Sequence, residues 1–323
     1  MEMNVIWRIP IVNSQKRPYF FHLKPLKIHR QNNGLIHVGD PSGDSMAEAL
    51  TIVVSGIHHP VVAAFLQRGM HQQHRFFVPE DELDSGLQKF ETECTLFPDA
   101  LRTLSVLNTS PDVVFTTAEK AQAPQIHSLR GGMNLALVEA KQPHFLSETW
   151  TQLILHDLLT IDNPLDNDGG FQEWWQLALG VQEPTLKEEQ IAFWCSAGDV
   201  AESLLRLIQS EVPLPSPMDV CGRRRWSLAD TWQEFNLLVQ RTVAGERAKF
   251  EATHLKADGG PLVEVQDLNH AVVHRERPNV EPYHDALVMV SGEGWNPRTP
   301  LRQSLMLLVA ELVHLHGYNS DES

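Results

Sequence analysis

Leu50-Thr-Ile-Val-Val-Ser-Gly-Ile-His-His-Pro-Val-Val-Ala-Ala-Phe-Leu66 decides how the rest of the chain is read. Thr51–Val54 is a short, β-branched run of the kind a parallel sheet buries on both faces. Pro60 follows at the opening of a helix, where its missing amide hydrogen costs little. Strand, tight turn and helix together form the unit that holds a dinucleotide, provided glycine stands at three places. The first glycine makes the turn, the second lets backbone approach the pyrophosphate, and the third lets helix pack on strand. Gly56 fills the first place. Three and six residues on, the chain has His59 and Val62. An imidazole and a β-branched side chain stand where a phosphate needs bare backbone. The stretch therefore reads as a nucleotide-binding architecture with an eroded cradle.

The same alternation continues outward. The patterning predicts a helix over Pro60–Arg68, a strand over His74–Val78, a helix over Leu101–Leu107 and a strand over Asp112–Thr116. A helix over Leu129–Lys141, entered through Gly131 and Gly132, and a second over Glu148–Leu159 follow. Trp150, Leu153, Ile154 and Leu158 give that second helix its apolar face. Strands alternating with helices imply an α/β fold, a Rossmann-type parallel sheet with helices on both faces, joined by right-handed crossovers. Past residue 160 the rhythm loosens. Phe171–Leu179 is a Trp-rich helix, Ile191–Cys195 a strand, and Asp199–Ile208 a helix with Ser196 or Asp199 as N-cap. Pro213, Pro215 and Pro217 make a linker, and Asp219–Cys221 is a strand. Ser227 caps Leu228–Val243, and Leu301–Leu315 is the last helix. The expected organisation is a basic N-terminal extension (1–49), a Rossmann-like domain (50–210) and a smaller C-terminal lobe (211–323, with contributions from about 160–190).

Composition narrows the function classes. The chain has 323 residues and a formal net charge of −15. An acidic chain is a poor general binder of nucleic acid, since phosphate affinity needs clustered Lys and Arg. The charge is uneven: in residues 1–49 six cations (Arg8, Lys16, Arg17, Lys24, Lys27, Arg30) face four acids (Glu2, Asp40, Asp44, Glu48). This basic arm is a candidate surface for an acidic protein partner. Strand-like stretches broken by Pro10, Pro18 and Pro25, with a turn at Asn32-Asn33-Gly34, suggest a small hairpin or an extended segment there. The three cysteines are far apart and odd in number, which fits a reducing compartment rather than a disulfide framework. No apolar run reaches membrane-spanning length, and no secretory leader opens the sequence. A cytoplasmic protein without a membrane span is expected.

Several further segments, taken in order, carry a family resemblance. Asp112-Val-Val-Phe-Thr-Thr-Ala118 is similar to a fourth strand with its following alanine. Gly131-Gly-Met-Asn-Leu-Ala-Leu-Val-Glu-Ala140 is similar to an "N-x-x-G-T-x-N-L-L-E-A" helix, and Phe193-Trp-Cys-Ser-Ala-Gly-Asp-Val-Ala-Glu-Ser203 to "F-V-x-V-x-D-V-A". Asp219-Val-Cys-Gly-Arg-Arg-Arg-Trp-Ser-Leu-Ala229, Arg277-Pro-Asn-Val280 and Gly294–Leu305 are similar to "Y-N-V-G-x-G-x-x-x-S-L", "R-P-G-D-V" and "G-W-x-P-x-T-x-L-x-x-G-L". Across residues 50–310 the chain resembles the extended short-chain dehydrogenase/reductase family, the NAD-dependent nucleotide-sugar epimerases and dehydratases, as a degenerate member. The resemblance implies a cofactor seat at Gly56. It implies an acid at the end of the second strand, here Glu80, for the ribose hydroxyls. It also implies that Arg277 faces a substrate diphosphate. Finally, it implies a homodimer in which the helices over Leu129–Lys141 and Glu148–Leu159 join their symmetry mates in a four-helix bundle.

The chemistry of that family needs Tyr-x-x-x-Lys on a helix, with the Lys one turn along lowering the Tyr pKa, and a nearby Ser or Thr. Of the three tyrosines, Tyr19 is followed at the fourth place by Leu23, Tyr283 by Leu287 and Tyr318 by Glu322. The pair is absent. Between Lys141 and Asp162-Asn163-Pro164 there is room for little more than one helix, and the strand that would carry the Ser is expected to be lost. No catalytic residue is assigned.

Other constellations are thinner. His58-His59 and His71-x-x-His74 are the densest of sixteen histidines, but no HExxH motif or nearby cysteine completes a zinc set, and no metal is expected. His58 and His59 are read as capping or filling the turn, Trp174-Trp175 and Trp194 as a stacking surface or, for Trp174 or Trp175, core of the small lobe, and Arg223-Arg224-Arg225 as a solvated turn or a surface for an acidic partner or nucleotide. No G-x-S-x-G supports a hydrolase. Two classes remain: a non-catalytic binding or scaffold subunit with no cofactor, and an atypical epimerase, dehydratase or reductase using NAD or NADP. The missing groups favour the first.

Overall fold

The computed structural model describes residues 49–129, 131–140, 147–160, 170–180, 182, 184–185, 190–210, 213–246, 251 and 275–316. The chain divides into two compact units, Met1–Met46 and Ala47–Ser323, and every described residue belongs to the second. The expected N-terminal hairpin and the Asp162-Asn163-Pro164 turn lie outside the described residues.

In chain order the elements are β1 (Thr51–Val54), α1 (Pro60–His71), β2 (Arg75–Val78), α2 (Glu80–Lys89), α3 (Glu91–Leu96), β3 (Leu101–Thr103), β4 (Val113–Thr117), α4 (Ala118–Ala121), α5 (Pro124–His127), β5 (Met133–Glu139) and β6 (Thr151–Leu155). There follow α6 (Gly170–Leu179), β7 (Ile191–Ala192), α7 (Ala197–Leu207), β8 (Met218–Val220), β9 (Trp226–Ser227), α8 (Leu228–Glu246), α9 (Glu281–Ser291) and α10 (Leu301–His316). Seven strands form one parallel sheet in the order β3-β2-β1-β4-β5-β6-β8. The direction of winding reverses between β1 and β4. In open parallel sheets the crevice at the carboxyl ends of the strands at this reversal is where ligands bind.

The core explains the strand sequences. Ile52 and Val54 of β1, Phe115 of β4 and Leu137 of β5 face α1 and α7, packing on Phe65, Leu66 and Leu204 in one buried cluster. Residues of opposite parity, Val53, Val114 and Ala136, face the other side and pack with Ile126 and Trp150. A strand buried on both faces has no polar alternation, and that is what Thr51–Val54 shows. A second hydrophobic core brings Phe171, Trp174 and Trp175 of α6 together with Trp232 and Phe235 of α8 and Leu305 of α10. Trp174 and Trp175 are therefore core residues. Two segments beyond residue 210 also contribute to the main core: β8 closes the sheet, and Tyr283 and Leu287 of α9 pack against it.

Three expected helices are not helices. Leu101–Leu107 begins as edge strand β3 and continues as a single 3-10 turn, Leu104–Val106. Leu129–Lys141 contains strand β5, and Glu148–Leu159 contains strand β6. The residues of β5 are good helix formers, but alternate side chains are buried on opposite faces of the sheet, so tertiary burial overrides propensity. Accordingly the strand expected to be lost is present. Among the described residues the helices between β4 and β5 are the four-residue α4 and α5, and residues 140–150 join β5 to β6. The helix pair invoked for a dimeric four-helix bundle does not exist. Helix α2 went unforeseen because only Glu82 and Gly86 are buried along it, which leaves no apolar periodicity to read. The later helices α6, α7, α8 and α10 fall where the patterning puts them, and Ser196 and Ser227 accept hydrogen bonds from Asp199 N and Asp230 N.

Candidate active site cleft at the glycine turn

The turn between β1 and α1 opens onto the carboxyl end of the sheet. Gly56 has φ +83. A Cβ built there would lie 2.8 Å from Thr117 Cγ2, so both backbone and space demand glycine. Ser55 Oγ and Thr116 Oγ1, 2.6 Å apart, tie β1 to β4 just beneath.

The Gly56, Ile57 and Val61 amides are engaged within the chain. Gly56 N donates to Glu82 Oε2 at 2.8 Å and Oε1 at 3.0 Å, and Ile57 N donates to Oε2 at 3.2 Å. Glu82 comes from the first turn of α2 and is only 4% exposed. Lys120 Nζ, 3.2 Å from Oε1, balances its charge. At the start of α1 the position of the first helical amide belongs to Pro60, which has none. The next, Val61 N, donates to His59 Nδ1 at 3.2 Å. With Nδ1 accepting, the His59 proton sits on Nε2, 3.0 Å from Glu139 Oε1 at the end of β5. A helix N-terminus attracts anions through free amides and a positive dipole end. Here a proline, an imidazole and a buried carboxylate have taken the places an anion would use.

The hollow that remains over the turn is about 230 Å³, lined by Gly56, His59, Glu82, Glu119, Lys120 and Glu139 among others. That is below the roughly 300–1,000 Å³ of small-molecule sites. Its three carboxylates outnumber its one lysine, which disfavours a pyrophosphate. A larger space of about 620 Å³ lies on the outer side of α1, between Arg68, Lys89, the start of α7 and the exposed Leu307 of α10. Burial lowers the Lys89 pKa, and the charge of Glu311 partly restores it.

The three residues singled out from sequence do not converge. Gly56 is at the turn. Glu80 begins α2 and is exposed, and the carboxylate that reaches the turn is Glu82, two residues on. Arg277 is exposed beyond the end of β8, beside Cys221. Burial pushes the Cys221 thiol up, while a hydrogen bond and the charge of Arg277 pull it back. The neighbouring Arg275 donates to both oxygens of Asp157, at 2.8 and 2.9 Å. Asp157 has φ +50 and also accepts from Phe193 N. Sequence reasoning missed Glu82, Glu139 and Lys120, because each matters only through a partner distant in sequence. Of the basic turn, Arg223 bonds Asn296 Oδ1, and Arg224 lies over the Trp226 ring at 4.4 Å. Among the described residues no three His, Cys, Asp or Glu converge as metal ligands, and no helix is long and apolar enough to cross a membrane.

Strand order, switch-point cleft and covering helices give the chain a Rossmann-type α/β fold. Among solved structures, the enzyme WbmF of Bordetella bronchiseptica, in complex with NAD+ and UDP, superposes with a TM-score of 0.51 at 11% identity, covering 84% of this chain and 94% of that one. The UDP-glucuronic acid 4-epimerase of Bacillus cereus, in complex with NAD, gives 0.51 at 10% identity, over 84% and 99%. The UDP-glucose 4-epimerase of Stenotrophomonas maltophila, with bound NAD and formylated UDP-arabinopyranose, gives 0.50 at 10%, over 82% and 99%. At these identities the likeness is one of fold. No family model matches the chain, and no curated protein matches it by sequence.

Proposed function

We propose that this chain is a catalytically inactive protein on an epimerase/dehydratase-like fold, acting as a binding or scaffold subunit without NAD or NADP. One observation carries the reading: Glu82 accepts the Gly56 and Ile57 amides and His59 the Val61 amide, with Pro60 supplying none. Two others support it. The sequence contains no Tyr-x-x-x-Lys, and the stretch expected to be the second helix of the pair holds strand β6 over Thr151–Leu155. The partners in this reading are a second copy, through surfaces other than the expected helix pair, and an acidic protein engaging the basic arm, in the cytoplasm. Calorimetry of the full chain with NAD and NADP tests it directly. Heats corresponding to micromolar or tighter binding overturn it. Deleting residues 1–35 should weaken partner capture and leave Tm nearly unchanged.

A second reading, an NAD(P)-dependent nucleotide-sugar epimerase, dehydratase or reductase with an atypical site, draws on the His59–Glu139 pair at the mouth of the cleft. A histidine held by a carboxylate is a common acid–base arrangement. In this pair, however, both ring nitrogens are engaged, Nδ1 by the Val61 amide and Nε2 by Glu139. Turnover of a nucleotide-sugar that is lost on Arg277→Ala decides for this reading.

A further inference from the structure

The loop 221–225 leads from β8, at one edge of the sheet, to β9, and it carries Arg223, Arg224 and Arg225, all exposed. Arg277 reaches the same loop from the segment before α9 and hydrogen-bonds the Cys221 thiol.

The partners of three of these arginines are neutral. Arg223 donates to Asn296 Oδ1 at 2.6 Å, the Arg224 guanidinium lies 4.4 Å from the centre of the Trp226 ring, and Arg277 meets a thiol. An amide oxygen, an indole face and a protonated thiol hold a guanidinium in place without cancelling its charge. Other exposed arginines are paired with carboxylates: Arg102 with Asp99, Arg275 with Asp157 and Arg298 with Glu293. Among the described residues no carboxylate pairs with Arg223, Arg224 or Arg277. Asp157 and Asp219, whose charges act on Cys221, are held by Arg275 and His156. Glu276 is exposed and separates Arg275 from Arg277.

Extended chain spans at most about 3.6 Å per residue, so Cys221 and Trp226 lie within about 18 Å of each other. Three fixed, uncancelled positive charges are thus gathered around one loop of an acidic protein. Groups already held in place lose less entropy on binding a counter-charge, and the guanidinium fork fits a carboxylate through two hydrogen bonds. A small anion reaches only part of the span. A nucleic acid carries its charge far beyond the loop and meets the repulsion of a chain with net charge −15. A short acidic stretch of polypeptide, extended at about 3.3 Å per residue, sets carboxylates along the whole span. We propose that the loop 221–225, with Arg223, Arg224 and Arg277, is a docking surface for an acidic segment of a partner protein. The inference rests on the binding-subunit reading and adds to it a surface distinct from the basic arm.

The test titrates fluorescein-labelled octaglutamate with the full chain at about 20 mM salt, where charges are little screened, and follows anisotropy. Binding should be saturable. Arg223→Gln, Arg224→Gln and Arg277→Gln should each weaken it about threefold, as exposed charge pairs do, and the triple variant about tenfold or more. Arg102→Gln removes the same charge from a paired site on β3, at the opposite edge of the sheet, and should leave the affinity unchanged. All four positions are exposed, so Tm should hold, and the single variants suffice if the triple variant does not fold. No saturable binding up to roughly 1 mM protein overturns the proposal, as does equal weakening by Arg102→Gln. Pyrophosphate or oligothymidylate that competes at a lower concentration than unlabelled octaglutamate also overturns it. An affinity that the triple variant keeps puts the peptide elsewhere, such as on the basic arm; it sinks this surface and leaves the binding-subunit reading standing. Micromolar NAD binding does the reverse.

Discussion

Replacing Glu82 by Ala should both destabilise this protein and create an anion site in it. Glu82 accepts three contacts from the amides of Gly56 and Ile57, at 2.8, 3.0 and 3.2 Å, and pairs with Lys120 at 3.2 Å. A hydrogen bond to a charged group contributes about 1.5–3 kcal/mol. Water from the adjoining hollow can rehydrate part of the turn after truncation, so the net loss should be about 3 kcal/mol. At about 2–4 °C per kcal/mol for domains of somewhat smaller size, Tm should fall by roughly 6–12 °C. The Gly56 and Ile57 amides then face the hollow unpaired, and Lys120 keeps only the longer contact to Asp81, 3.8 Å. Sulfate or pyrophosphate should bind, and at a hundredfold excess over its Kd should restore about 2.7 kcal/mol. Full dinucleotide affinity should not return, because Pro60 and His59 still close the start of α1. The assay is thermal denaturation of wild type, Glu82→Ala and Glu82→Gln with and without each anion, at matched ionic strength. Glu82→Gln keeps the shape, so an informative variant exists even if Glu82→Ala does not fold. A Tm unchanged by the substitutions, or an anion that stabilises wild type as much as the variants, refutes the reasoning.

Three further outcomes follow from the same geometry. Gly56→Ala should cost about 2 kcal/mol or more in urea denaturation, since φ +83 and the Thr117 contact at 2.8 Å both oppose a Cβ. His74 titrates below its ordinary value because it is buried. The unfolded chain therefore binds this proton first: its stabilisation is full above about pH 6.5 and is lost as pH falls through the folded value. The slope of stability between about pH 7 and 5 should shrink in His74→Gln. Finally, burial raises the thiol pKa of Cys195 well above normal and also raises those of Cys221 and Cys94. Cys195 and Cys221 are buried and Cys94 is partly accessible. Maleimide should label Cys94 first and slowly in the native chain, and all three cysteines only after unfolding; rapid native labelling of Cys195 contradicts the buried assignment.

The sequence by itself determined the fold class, because Thr51–Val54, the Gly56 turn and the amphipathic start of α1 are local patterns with one common solution. It also determined that no Tyr-x-x-x-Lys exists, since that motif is a fixed spacing along one chain. Helix caps such as Ser196 and Ser227 were legible for the same reason: cap and amide are three residues apart. Only the tertiary structure decided that Met133–Glu139 and Thr151–Leu155 are strands. Leucine and alanine permit either state, and burial on two faces of a sheet selects the extended one. Only tertiary structure placed Glu82 on the Gly56 amide, 26 residues away, and Glu139 on His59, 80 residues away. Which carboxylate meets which amide depends on how strands and helices stack. Glu80 and Glu82 are both acids in the first turn of α2, and the side chains of residues two apart on a helix point in different directions. One therefore stands in solvent, and the other accepts the amides of the glycine turn.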